Sequence, residues 1–165
     1  MADLINFSPG EALPIDSPDR RRLPPLLRRA WYSLNQALRR RIAHLEITPD
    51  QFTALRTLQE NEGITQTQLT RLMASDPNTI ASLLERMETN GLITRQRHVT
   101  DRRAFSVRVL PLGRKKYEAA RVIAIDLQAS VLSVLPCSQR ERFLSQLAKI
   151  ADACRVASQV PAKED

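Results

Sequence analysis

The sequence predicts a mainly α-helical protein with a single small β-hairpin set past its midpoint. Three observations lead there. Glycine is scarce, 4 in 165 residues, while Leu, Ala, Arg and Gln abound, a mix that favours helices. Helix-start chemistry recurs. The stretches beginning Thr48, Thr65 and Ser138 each place a hydroxyl three residues before a Gln or Glu, the spacing of a capping box. Finally, the apolar period drops from three or four to two only between residues 92 and 110.

Taken in order, residues 1–22 hold Pro9, Pro14 and Pro18 among polar residues and end in Arg20-Arg21-Arg22, which predicts a flexible N-terminal arm. A first helix is expected from Pro24-Pro25, since proline is tolerated in a first turn. Its apolar stripe is Leu27, Ala30, Trp31, Leu34, Leu38, Ile42 and Leu45. The second helix opens on Thr48, with Pro49 at its first position and Asp50 as an early acid. It buries Phe52, Leu55 and Leu58 and closes at Gly63. A short third helix from Thr65 is expected to bury Leu69 and Leu72. The fourth has Asp76 as N-cap and Pro77 in first place. Ile80, Leu83, Leu84 and Met87 give it the i, i+3, i+4, i+7 stripe of a one-sided helix, and Gly91 ends it.

Residues 92–97 and 104–110 then read as two strands, the second alternating Phe105, Val107 and Val109 against Ser106 and Arg108. A basic turn, His98 to Arg103, joins them. After Pro111 a helix carrying Tyr117, Ala120, Ile123, Leu127 and Val131 runs to about residue 135, where Pro136 breaks it. A last helix, opened by the third capping box at Ser138, carries Phe143, Leu144, Leu147, Ile150, Ala151 and Cys154.

Composition narrows the function classes. No run approaches the roughly 18 apolar residues of a membrane span, and residues 1–14 lack a signal-peptide pattern. With two cysteines, a disulfide scaffold is excluded and a cytoplasmic setting is expected. No nucleophile–base pairing, phosphate-binding glycine loop or metal-ligand spacing occurs, so neither an enzyme nor a cofactor is expected. His44 and His98 stand alone and make a poor metal site. Cys137, at a helix start where a dipole lowers a thiol pKa, invites a redox reading, but a structural role for Cys137 and Cys154 is favoured. Net charge is +7, of which residues 65–116 carry +6 while residues 45–64 carry −3. A basic face attracts polyanions, although charge alone is equally compatible with a solvated surface.

The order of the parts is more telling. Two short helices joined by a tight turn, then a basic hairpin, is the winged helix-turn-helix order. Opposite the apolar stripe of the fourth helix lie Asn78, Thr79, Ser82, Arg86 and Thr89. Asn pairs bidentately with adenine, Arg favours guanine, and Ser and Thr bond several base edges. The start of that helix is expected to offer free N–H groups to phosphate. Arg95, Arg97, Arg102 and Arg103 gather on the hairpin, within reach of phosphates or a minor groove. Double-stranded DNA is therefore the expected partner.

At these residues the chain resembles the MarR family. Asp76-Pro77-Asn78-Thr79-Ile80 through Leu92-Ile93 looks like that family's recognition helix and its exit into the wing. Asp101-Arg102-Arg103-Ala104, followed by a strand and Gly113-Arg114, resembles its wing signature. The resemblance covers roughly residues 23–156. It implies that Arg103 enters the minor groove and that Asp101 holds the wing's shape. It also implies a homodimer joined through the first helix and the two C-terminal helices. Those last helices are amphipathic, and a small domain has nothing left to cover both.

The expected organisation is an arm (1–22), a first dimerisation helix (23–47), a winged helix-turn-helix lobe (48–110), C-terminal dimerisation helices (111–158) and a tail (159–165). The expected function is that of a transcriptional regulator, by preference a repressor, on a pseudo-palindromic operator. By the same resemblance, Trp31, Tyr32 and Tyr117 are candidates to line a cleft for a small aromatic or lipophilic anion, although Trp31 on an apolar stripe is more simply read as core. A winged-helix module whose basic patch binds an acidic protein is the alternative.

Overall fold

A computed structural model describes residues 22–97 and 105–159. The chain runs α1 (Leu23–Ile42), a 3-10 turn (Ala43–Leu45), α2 (Pro49–Glu60), α3 (Gln66–Leu72), α4 (Pro77–Thr89), β1 (Ile93–Arg97), β2 (Phe105–Val109), α5 (Pro111–Leu132) and α6 (Cys137–Ala157). The expected arm up to residue 21, the wing turn and the last residues of the tail lie outside the described residues.

Local chemistry sets the helix starts. Thr48 accepts the Gln51 N–H at 3.2 Å while the Gln51 side chain accepts the Thr48 N–H at 2.9 Å. Thr65 and Gln68 repeat the arrangement at 3.2 and 2.8 Å. Each such box satisfies two donors that a helix start leaves unpaired. The third box does not form. α6 begins one residue earlier, at Cys137, with Pro136 as N-cap and no side-chain cap bond. Proline holds the chain extended there (ψ 143°), so the first helical turn is already under way at Ser138.

The core is a single cluster inside the lobe. Ile42, Ala54, Leu55, Leu69, Ile80, Leu84 and Met87 are fully buried, with Leu92, Ile93 and Val107 from the wing base and Tyr117 and Ala120 from α5 packed beside them. Tyr117 stacks on Phe52, ring centres 5.6 Å apart, and so fastens α5 to α2. Gly113 is required at this junction. A Cβ there would collide with the Leu92 carbonyl oxygen, which already accepts the Leu110 N–H at 2.9 Å. The end of α4 turns through Gly91 at φ +65°, a conformation that disfavours any side chain.

Two expected core positions are exposed, Leu72 and Phe105, while Ser106 is buried. For Ser106 the reason is a third extended segment. Thr65 bridges Ser106, and the Val107 N–H donates to the Ile64 carbonyl at 3.1 Å. β2 is therefore flanked on both edges, by β1 (Ile93 opposite Val109, Arg97 opposite Phe105) and by the entry to α3.

Outside the lobe the picture changes. No residue of α6 is buried. Leu23, Leu26, Trp31, Tyr32 and Leu34 of α1, Val122, Ile125 and Val131 of α5, and Phe143, Leu144, Ile150 and Val156 of α6 are all exposed. Trp31, more simply read as core, is 63% exposed, because among the described residues nothing packs over it. α5 and α6 meet at a 107° bend, and no single helix among the described residues is long and apolar enough to cross a membrane.

Candidate nucleic-acid interface

Helix α4 is positioned by its own apolar stripe. Ile80, Leu83, Leu84 and Met87 anchor it to α2, α3 and the wing base, which forces the opposite face outward. Asn78, Thr79, Ser82, Arg86 and Thr89 all stand exposed on that face. They divide into two groups. Arg86 and Thr89 line a cleft of about 670 Å³ with Arg39 of α1, Thr48, Asp50 and Gln51 of α2, and Glu85 and Asn90. Thr89 also donates its hydroxyl to the Glu85 carbonyl at 3.0 Å. Asn78, Thr79 and Ser82 form the leading end, outside that cleft.

The start of α4 differs from expectation. The Asp76 carboxylate accepts the Asn78 N–H at 3.0 Å and the Thr79 N–H at 2.9 Å. Those donors are therefore not free for a phosphate. Hydrogen bonds from the Thr79 hydroxyl and N–H, then from Asn78, hold the Asp76 carboxyl below its usual range. An anionic group at a helix N-terminus is also favoured by the helix dipole.

Arg95 is the second difference. Its backbone N–H donates to one oxygen of Glu88 at 2.8 Å, and its Nε donates to the other at 2.7 Å. Its second guanidinium nitrogen lies 2.7 Å from that same oxygen. The Arg95 guanidinium beside Glu88 keeps that carboxyl below the usual glutamate range. Arg97 is exposed at the end of β1, whereas Asp101, Arg102 and Arg103, like His98, lie outside the described residues.

The three aromatic residues considered for an effector cleft are not brought together. Tyr117 is only 8% exposed, in the lobe core. Trp31 and Tyr32 project from the uncovered half of α1, where Gln36 donates to the Tyr32 hydroxyl at 3.0 Å. Neither the cleft beside α4 nor a second one of about 560 Å³, between the end of α2, the wing strands and the start of α5, includes any of them. Sequence reasoning passed over Glu88 as a partner and the pairing of residues 64 and 65 with β2. A signal for the first existed: an acid and a base of opposite sign seven residues apart, straddling the Gly91 reversal.

A helix-turn-helix with a two-stranded wing, its second helix presenting a polar face and its flanking helices left open, defines a winged helix-turn-helix protein. A MarR family sequence model matches residues 47–105. A probable transcriptional regulator from Pseudomonas aeruginosa has a crystal structure 30% identical in sequence, with a TM-score of 0.73, covering 79% of this chain and 98% of that one. The transcriptional regulator HosA of Escherichia coli is 27% identical over 130 residues, 76% of this chain and 96% of HosA. The transcriptional repressor CouR, solved bound to a 23-mer DNA duplex, is 26% identical with a TM-score of 0.73, covering 86% of this chain and 99% of CouR. The chain belongs to the MarR family, and it is a transcriptional regulator rather than an enzyme.

Proposed function

We propose that this regulator is a repressor that binds a pseudo-palindromic DNA operator as a homodimer in the cytoplasm. The observation that carries the proposal is the two-sided build of α4, with one face sealed into the lobe and Asn78, Thr79 and Ser82 exposed on the other. Short polar side chains at i, i+1 and i+4 of a rigidly seated helix suit base edges in a major groove. Arg86 and Thr89 continue the stripe. Arg97 and Arg102, as basic residues of the hairpin, supply phosphate contacts, and by similarity to the family Arg103 enters the minor groove with Asp101 shaping the turn. CouR, a relative of the same fold solved on duplex DNA, supports the partner.

The uncovered apolar faces of α1, α5 and α6 support the dimer. Exposed Leu, Val, Ile, Phe and Trp side chains in such number cost free energy in water, about 25 cal/mol per Å² of apolar area. A two-fold partner covers them with the same faces of a second copy. Half-sites then lie about one turn of DNA apart, near 10 bp. Repression follows because a dimer covering a promoter excludes polymerase without further contacts. Relief by a small aromatic or lipophilic anion completes the proposal. Trp31 fluorescence during titration with phenolic acids reports it, and an unchanged spectrum removes Trp31 from any effector site.

The test is fluorescence anisotropy on the DNA upstream of the chain's own gene, against scrambled DNA, at several salt concentrations. A preference of about 1000-fold or more, relaxed by Asn78→Ala and weakened by Arg103→Ala, supports the reading. Absence of binding to both duplexes at low salt contradicts it and leaves the basic face to an acidic protein partner.

A further inference from the structure

Resting on that DNA-binding reading, we propose that Arg95 is not a DNA contact but the wing's strut, and that Glu88 is the positioning residue that sets where the wing stands relative to the recognition helix. The geometry is specific. Glu88 sits in the last turn of α4, and Arg95 is the third residue of β1. Both carboxylate oxygens are used, one on the Arg95 backbone N–H and one on its guanidinium. The backbone bond fixes the strand itself, and the guanidinium bond fixes the side chain over it. Both side chains are about one-third exposed, which places the pair between a screened surface bridge and a buried one. Charge-assisted bonds of this length are about twice as strong as neutral ones.

The rest of the wing base makes such a strut useful. Ile93 and Val107 are buried, but beyond them Gln96, Arg97 and Phe105 are exposed. Arg95 stands opposite Val107 in the hairpin register, one rung inside the Gln96–Ser106 pair, where only the β2 residue is still buried. The Glu88 clasp is thus the outermost described tie between hairpin and α4. It ties β1 to the last turn of α4 and so sets where the described hairpin stands relative to that helix. The Arg95 guanidinium keeps its charge, but paired with Glu88 it forms a net-neutral unit whose donors are already engaged.

The two roles predict different salt dependence. A lysine or arginine that neutralises a phosphate contributes about 0.9 to the slope of log affinity against log salt. A strut contributes to affinity without contributing to that slope. The experiment measures the full chain, Arg95→Ala, Glu88→Ala and Glu88→Gln on operator and on scrambled DNA across a salt series. Amide hydrogen exchange in β1 and β2 is followed in the absence of DNA.

The expected result is a roughly tenfold loss of operator affinity in Arg95→Ala with the wild-type slope, and a similar loss in Glu88→Ala. Glu88→Gln, which keeps an acceptor for the backbone N–H, loses less. Exchange in the outer rungs of the hairpin speeds up in both alanine variants. A slope reduced by about one in Arg95→Ala, or tighter operator binding in Glu88→Ala, overturns the proposal. Wild-type protein that binds no DNA defeats the DNA-binding reading instead. Faster exchange in the variants would still establish the strut in that case, and unchanged exchange would refute it.

Discussion

The lobe between Ile42 and Ala120 and the helical flanks outside it come from the same chain and obey opposite rules. In the lobe the apolar stripes of α2 and α4 are covered: Ile80, Leu84 and Met87 of α4 have no exposed surface. In the flanks the apolar side chains are as numerous but few are buried, with Val134 84% exposed and no residue of α6 buried. Both regions are helical, so the difference does not lie in secondary structure. It lies in whether the described residues supply the opposing surface. On the proposed reading, the closed lobe presents the DNA-reading face and the open flank is half of a dimer interface.

Removing side chains on either side of that divide sharpens it. The largest effect belongs to the lobe, where Leu84→Ala is expected to cost about 2–5 kcal/mol, read by chemical denaturation. Leu144→Ala in α6, by contrast, lowers the unfolding midpoint mainly at low protein concentration, because linkage to a partner makes stability concentration-dependent. A concentration-independent midpoint for wild type and variant alike would break the comparison. Gly113→Ala comes next. Its new methyl meets the Leu92 backbone, and overpacking of this kind costs about 1–3 kcal/mol. Thr48→Ala removes an N-cap and is expected to cost about 1 kcal/mol, small enough to leave the fold and the flanks unchanged by circular dichroism.

The smallest effect is on pH. Asp76 and Glu88 both have carboxyl pKa values lowered in the folded chain. Between the lowered and ordinary values the unfolded chain binds more protons, so stability falls as pH falls. Their contribution is complete above the ordinary values, 3.8 for Asp76 and 4.5 for Glu88. It is lost as acid takes each group through its lowered one. Glu88→Gln flattens that limb of the pH–stability curve. An unchanged acid limb in this variant would show that Glu88 makes no such contribution.

Much of the lobe was legible because its signals are local. Caps at Thr48, Thr65 and Asp76, prolines at first helical positions and the stripe of α4 each speak within a few residues. What escaped depends on distant groups. Ser106 and Phe105 exchange their expected burial because Ile64 and Thr65 pair along β2, forty residues away in sequence. Arg95 looked like one of four wing arginines, and only the turn at Gly91 brings it to Glu88. Tyr117 and Trp31 are both aromatic residues on apolar stripes, yet one is core and the other exposed. The stripe records that a face wants covering and says nothing about which chain covers it. Asp76 was read correctly as a cap, but a cap that is satisfied removes the phosphate site the same helix start seemed to offer.

Sedimentation velocity of the full chain at micromolar concentration, without DNA, tests the division between closed lobe and open flanks most directly. One species of twice the chain mass is expected, which Leu144→Glu converts to single chains with the helical signal retained. A wild-type monomer at that concentration would contradict it, because the exposed faces of α1, α5 and α6 would then belong to no second copy.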